Sequence, residues 1–416
     1  MLVLALRLQL LLQVEPDKMI SPTNPVSVIV ALLLALATAK VLIRQFGAPD
    51  TQGRFATIDG LRGYLALLVF LHHSCIWYFY LRTSAFESPP SNFFANIGRA
   101  GVALFFMITG FLFATKIIDA KTKGMDWIRL YVSRFLRLAP LYAFAMALLF
   151  ISVAAVSGFA LIDSPVTLAI NALKWIGFTV LGEPDLNGVE STKLILAGVP
   201  WTLAYEWAFY LCLPLLSILI GAIPPFPILA IGFAGTLCFI KIHALPIFVA
   251  PFFSGILVAL LVRRIWFRQI AERRISSLIA IAVVFSALIL FPTTYSRIPL
   301  VLLSVGFALI AGGATLFGTL TNPLSRMLGE MAYSIYLLHG LVLFTLFHFI
   351  IGNYNARLLS PVEYWTSISL TTPVLILISF TTFNCIEKPA MQYTERVASW
   401  IRQAITIRQG ASEKSF

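Results

Sequence analysis

Long apolar runs separated by short polar joints recur from Val26 to Ile386. A bilayer-spanning helix needs ~20 largely apolar residues. Runs of that kind lie near 26–46, 57–81, 98–118, 138–159, 200–222, 226–242, 246–263, 275–291, 299–318, 328–351 and 364–386. They are too long and too uniformly apolar for the alternating strands of a barrel, so the pattern predicts an all-α, polytopic membrane protein with eleven crossings.

Composition agrees with that reading, since 59% of the 416 residues are hydrophobic and 12% are charged, and no soluble domain hides so much apolar surface. The net charge of +12 raises nucleic acid as a partner. The basic residues, however, sit in short joints rather than on one polar face, which is the signature of membrane topology, and no nucleic acid is expected. The joints from Lys116 to Arg137 and from Arg263 to Arg274 are the richest in Lys and Arg and are expected in the cytoplasm. With both inside, the alternation of crossings requires the apolar stretch from Val166 to Leu181, which holds Lys174, to lie in the external interface or re-enter. It also puts 159–199, with Asp163, Glu183, Asp185 and Glu190, outside, and the basic tail after Ile386 inside. Cys75, Cys212, Cys238 and Cys385 show no ligand spacing and are read as small core residues, with neither disulfide nor zinc expected. Met1 to Val14 is short, contains Arg7 and lacks a cleavage site, which makes it a poor signal peptide; an interfacial helix and a misplaced start codon both stay open.

Ionisable groups inside a spanning helix cost a few kcal/mol or more, so they are functional candidates by default. The second run opens Asp59-Gly60-Leu61-Arg62-Gly63 and reaches His72-His73. At ~100° per residue Arg62 and His73 fall within ~20° of one face, Asp59 within ~40° of His73, and His72 ~80° away. Asp59, Arg62 and His73 therefore form one polar stripe, with His73 ~16 Å above Arg62 and deep in the membrane. Imidazole is the side chain best suited to proton transfer near neutral pH, so His73 is the catalytic candidate and His72 the structural one. Gly60 and Gly63 permit close approach of another helix or of a ligand phosphate.

These residues carry a resemblance. Asp59-Gly60-Leu61-Arg62-Gly63 followed by His73 is similar to the opening signature of the acyltransferase 3 family of integral membrane acyltransferases. Gly101 to Phe111, Arg134 to Tyr142, Trp201 to Pro214, Leu328 to His339 and Ile386 to Pro389 resemble its later blocks in order, so the likeness covers nearly the whole chain. Departures at Ala103, Thr109, Trp207, Ala208 and Ala332 leave Arg62 and His73 untouched. The resemblance implies a ten-helix core at 51–390, preceded by an extension at 1–50 with one extra crossing and followed by a basic cytoplasmic tail at 391–416. It also implies a bacterial plasma (inner) membrane and transfer of an acyl group, most often acetyl, to extracytoplasmic glycans, glycolipids or related acceptors.

Coenzyme A thioesters are cytoplasmic polyanions, and Arg134 and Arg137, three residues apart, are the cations expected to bind acyl-CoA near Arg62. His73 is expected as general base or transient acyl carrier, with Asp59 orienting Arg62. Glu206, Trp201 and Tyr210 are expected to face the acceptor from outside, with Tyr336 and His339 supporting the site on the strength of the family block. Acyl-CoA is a substrate; no bound cofactor and no metal are called for. The competing function is a transporter in which the buried Arg, His and Glu line a substrate or proton path.

Overall fold

The computed structural model describes residues 21–49, 55–121, 124–243 and 246–413. Met1 to Val14 lies outside them. The described chain is built from helices: α1 (Val26–Phe46), α2 (Ala56–Thr83), α3 (Asn92–Ala120), α4 (Trp127–Val156), α5 (Pro165–Ile176), α6 (Trp201–Leu219), α7 (Phe226–His243), α8 (Pro246–Leu261), α9 (Ile265–Ala271), α10 (Arg274–Ile289), α11 (Arg297–Gly312), α12 (Pro323–Glu330), α13 (Ala332–Phe344), α14 (Asn353–Leu358), α15 (Pro361–Thr382), α16 (Lys388–Gln392) and α17 (Thr394–Glu413). Among the described residues the one β-type pairing is an isolated bridge between Leu186 and Val189.

Seven helices among the described residues are long and apolar enough to cross a membrane: α1, α2, α3, α4, α6, α13 with its π-helical continuation to Ile350, and the run from Pro361 to Thr406. The pair α8 and α9, bent by 106°, would make an eighth. Three further apolar segments, Phe226–Ile242, α10 and α11, fall in the expected places but are shorter. At 1.5 Å per residue, a 16-residue helix such as α10 or α11 reaches ~24 Å, less than the ~30 Å hydrocarbon layer. α5, with 12 residues, is shorter still and does not qualify as a crossing.

Two boundaries depart from the sequence reading for physical reasons. The stretch before Leu138, expected as a charged joint, forms the first three turns of α4. Asp126 caps it by accepting the Arg129 amide at 3.0 Å, and helix propensity carries the Arg-rich turns into the apolar run. Near 328 the expected single helix is two, because α12 ends at Glu330 and α13 starts afresh at Ala332.

Close packing rests on glycine. A Cβ on Gly329 of α12 would lie 1.8 Å from the Asp59 carbonyl oxygen, and one on Gly63 2.5 Å from Leu328 Cβ. The α2 glycines thus serve helix contact. The bundle has two distinguishable ends. At the basic end, Arg263 pairs with Asp119, Arg402 with Asp126 at 3.2 Å and Arg129 with Glu395 at 3.0 Å, which joins the ends of α3 and α8 and the tail helix α17 to the start of α4. At the opposite end Arg82 donates to the Leu359 carbonyl, Asn92 to the Ile289 carbonyl (3.2 Å) and Trp365 to the Pro22 carbonyl (2.9 Å).

Candidate active site

α2 brings Arg62 to a depth of ~9 Å from its first residue, while α4 delivers Arg134 and Arg137 from its third turn. These three half-buried arginines line one cavity of ≈ 260 Å³ together with Glu206 and Tyr210 from α6 and Tyr333 and Tyr336 from α13. The Tyr210 hydroxyl donates to the Glu206 carboxylate. Arg134 engages the same phenol and lies over the Phe113 ring, 5.3 Å from its centroid. Arg137 reaches the Met391 sulfur at 3.1 Å, and the charges of Arg137, Asp59, Glu206 and Arg134 all act on Arg62. Three guanidiniums against one carboxylate leave the cavity cationic, which suits an anionic ligand.

The catalytic candidate His73 is not among the residues lining that cavity. Tyr336, its hydroxyl 2.8 Å from Thr202 Oγ1, lines the cavity and packs edge-on against His339, with ring centroids 6.2 Å apart. Behind it, His339 Nε2 stands 3.0 Å from His73 Nδ1. The hydrogen bonds assign the tautomers, because a carbonyl can only accept. His339 Nδ1 lies 3.2 Å from the Ile335 carbonyl and must carry a proton, so its Nε2 accepts. His73 Nδ1 faces both that nitrogen and the Val69 carbonyl at 3.1 Å, so it too is protonated. The basic lone pair of His73 is then on Nε2. Its ring is partly exposed and stacks on Phe86 at 6.3 Å. His72, by contrast, donates Nδ1–H to the Phe94 carbonyl at 2.6 Å and fills the space beside Gly98, where an added Cβ would meet its ring at 2.3 Å.

Two other sequence candidates, Asp59 and Trp201, do not line the cavity. Asp59 lines a neighbouring cavity with Lys116 and Asp119, and among the described residues it makes no ion pair with Arg62. Trp201 packs on Tyr205 and Phe248, with centroids at 5.5 and 4.8 Å. Glu206, expected at an outward-facing acceptor site, shares the arginine cavity instead. Glu387 is buried and accepts from Ser334, a structural contact between α13 and the π turn after α15.

Two residues had no sequence signal because they lie in loops that only tertiary packing positions. One is Phe86. The other is Glu183, whose carboxylate accepts the Trp201 amide at the start of α6, while Oε1 is buried without a partner among the described residues. Burial pushes the Glu183 carboxyl up to about 7, against the pull of Lys193.

Residues 55–383 match the model of a family described as an acyltransferase domain. Among curated proteins, acyltransferase MdmB of Streptomyces mycarofaciens is 30% identical over 182 residues, which is 42% of this chain and 42% of that relative. The chain thus aligns with less than half the length of that relative. No solved structure matches.

Proposed function

Because the chain belongs to the acyltransferase 3 family, we propose that it moves an acyl group, most simply acetyl, from acyl-CoA on the cytoplasmic side to a hydroxyl of a carbohydrate or glycolipid acceptor on the other side of a bacterial plasma membrane. The basic end faces the cytoplasm, consistent with its concentration of Lys and Arg. In this reading the ten-helix core occupies 51–390, α1 is an additional crossing within 1–50, and 391–416 is a cytoplasmic tail.

The observation that carries the proposal is the three-arginine cavity lined by Tyr336, whose ring packs on His339 of the His339–His73 pair. Arg62, Arg134 and Arg137 hold the phosphates of the donor. Arg62 lies ~16 Å along the helix from His73, so the two serve different parts of an elongated molecule rather than one carbonyl group. The thioester end reaches His73 past the Tyr336 ring, which must move to admit it. At His73 the acceptor hydroxyl attacks the thioester carbon while its proton passes to Nε2; the tetrahedral adduct collapses to the ester, and the departing thiolate recovers that proton. His339 and the Val69 carbonyl hold the Nδ1–H and so keep Nε2 basic. Glu206 and Tyr210 position Arg134 in the donor cavity.

The test is incubation of purified protein in nanodiscs with radiolabelled acetyl-CoA and a panel of glycans. Native protein forms labelled ester, and His73→Ala lowers the rate ~10²–10⁴-fold, the usual worth of a general base. Unchanged transfer by His73→Ala contradicts the assignment, and donor-dependent transport without ester favours the exporter reading.

A further inference from the structure

A second groove, ≈ 180 Å³, lies at the end of the bundle opposite the basic end, between α2, the π turn after α13, α14 and the segment 189–195. We propose that it is a carbohydrate subsite for the acceptor, holding a sugar unit next to the one that is acylated; this deepens, and rests on, the acyl-transfer reading above.

The lining has the chemistry of sugar recognition. Tyr80 and His348 are the partly exposed aromatic rings of the lining, backed by the buried rings of Trp77 and Phe344; Phe344 and His348 stack at 4.9 Å with an interplanar angle of 12°, which leaves His348 one face, and Trp77 meets Tyr80 edge-on at 5.3 Å. Sugars carry apolar C–H faces ringed by hydroxyls, and aromatic rings cover such faces while polar groups at the rim take the hydroxyls. The rim is provided by Glu190, Asn353 and Arg357, with Asn353 Nδ2 2.9 Å from His348 Nδ1. One carboxylate and one guanidinium balance each other, so the groove lacks the cationic character of the arginine cavity and suits a neutral polyol rather than a phosphate.

One residue of the lining is left with an unmet donor. Trp77 is 2% exposed, and its indole N–H is buried without an acceptor among the described residues. A buried donor of that kind normally has a partner; because this N–H is closed off from the groove, a bound hydroxyl reaches it only when the wall around Trp77 shifts.

Position links the groove to the reaction. Trp77 follows His73 by one turn on the same face of α2, ~6 Å further along, and Tyr80 lies ~10 Å from His73. Phe86 bridges them, stacked on His73 at 6.3 Å and edge-on to Tyr80 at 5.8 Å. A ring bound at Trp77 and Tyr80 therefore leaves the adjoining ring beside Nε2, so the preferred acceptor has at least two sugar units.

The experiment uses full-length protein in nanodiscs, radiolabelled acetyl-CoA, and p-nitrophenyl mono- and disaccharides of common hexoses. Glu190→Ala and Arg357→Ala change exposed rim side chains, and Trp77→Phe keeps the ring while removing the N–H. Each is expected to raise the acceptor KM for disaccharides by ~5- to 20-fold, with kcat within about twofold of native and monosaccharide transfer little affected. Native transfer with unchanged disaccharide KM in all three variants overturns the subsite alone. Absence of any transfer by native protein to these glycosides removes the carbohydrate-acceptor reading, and the subsite with it.

Discussion

A neutral imidazole acts as a base only through the nitrogen that carries no proton, so the partner of the other nitrogen decides where the chemistry happens. In His73 that partner is shared between the Val69 carbonyl and His339 Nε2. His339→Ala is expected to lower kcat ~10-fold, as the loss of one oriented partner, while leaving the affinity for acetyl-CoA unchanged; His339→Gln, which offers a carbonyl to Nδ1–H, recovers part of the loss. Steady-state kinetics with donor and acceptor varied separately check both. The sequence already distinguished His73 from His72, because helical periodicity alone sets His73 within ~20° of the Arg62 face and His72 ~80° from it. It did not reveal the contact between His73 and His339, which lie 266 residues apart in the chain and meet only through packing of α2 beside α13. For the same reason Glu206, read as outward-facing from its place near a helix end, is found with Arg62 and Arg134, because rotation about the α6 axis, not depth, decides what it meets.

At the level of helices, the site depends on how closely α2 approaches α12. Gly63→Ala and Gly329→Ala each force a methyl into backbone or side-chain atoms of the neighbour, with distances of 2.5 and 1.8 Å for an unrelaxed Cβ. Each is expected to destabilise by at least ~1–3 kcal/mol, read as a lower melting temperature of the purified protein, with Gly329→Ala the more severe. Seven of the apolar runs are legible as full crossings from length and composition. The start of α4 was not, because charges in its first turns mask a helix that a capping aspartate and the tail helix hold in place. The loop before α6 adds a pH dependence. Glu183 is buried with its carboxyl raised from 4.5 to about 7, so the folded loop favours the protonated form. Its contribution is full below about pH 4.5 and is lost as pH rises through about 7. Hydrogen exchange across 177–200 is expected to quicken, beyond the intrinsic effect of pH, as pH rises from 4.5 to about 7. Glu183→Gln should flatten the trend; an equal trend in both proteins would contradict the assignment.

Over the whole molecule, charge and connectivity agree about orientation. The ion pairs Arg263–Asp119, Arg402–Asp126 and Arg129–Glu395 gather at one end, and the acidic loop carrying Asp163, Glu183, Asp185 and Glu190 leaves α4 at the other. In a variant without its native cysteines, Glu190→Cys is expected to react with a membrane-impermeant maleimide in intact cells, and Lys121→Cys only after permeabilisation; the reverse pattern would invert the proposed topology. Under the proposed topology the two candidate sites would divide the labour, a cationic cavity for the donor toward the cytoplasm and an imidazole beyond it toward the acceptor. The measurement that tests this division most directly sets equilibrium binding of acetyl-CoA beside ester formation in two variants of the purified protein. His73→Ala is expected to bind the donor as native protein does yet form ester ~10²–10⁴-fold more slowly, and the double variant Arg134→Ala/Arg137→Ala to bind it ~10-fold or more weakly. Native-rate ester formation by His73→Ala, or native donor affinity in the arginine variant, would contradict it.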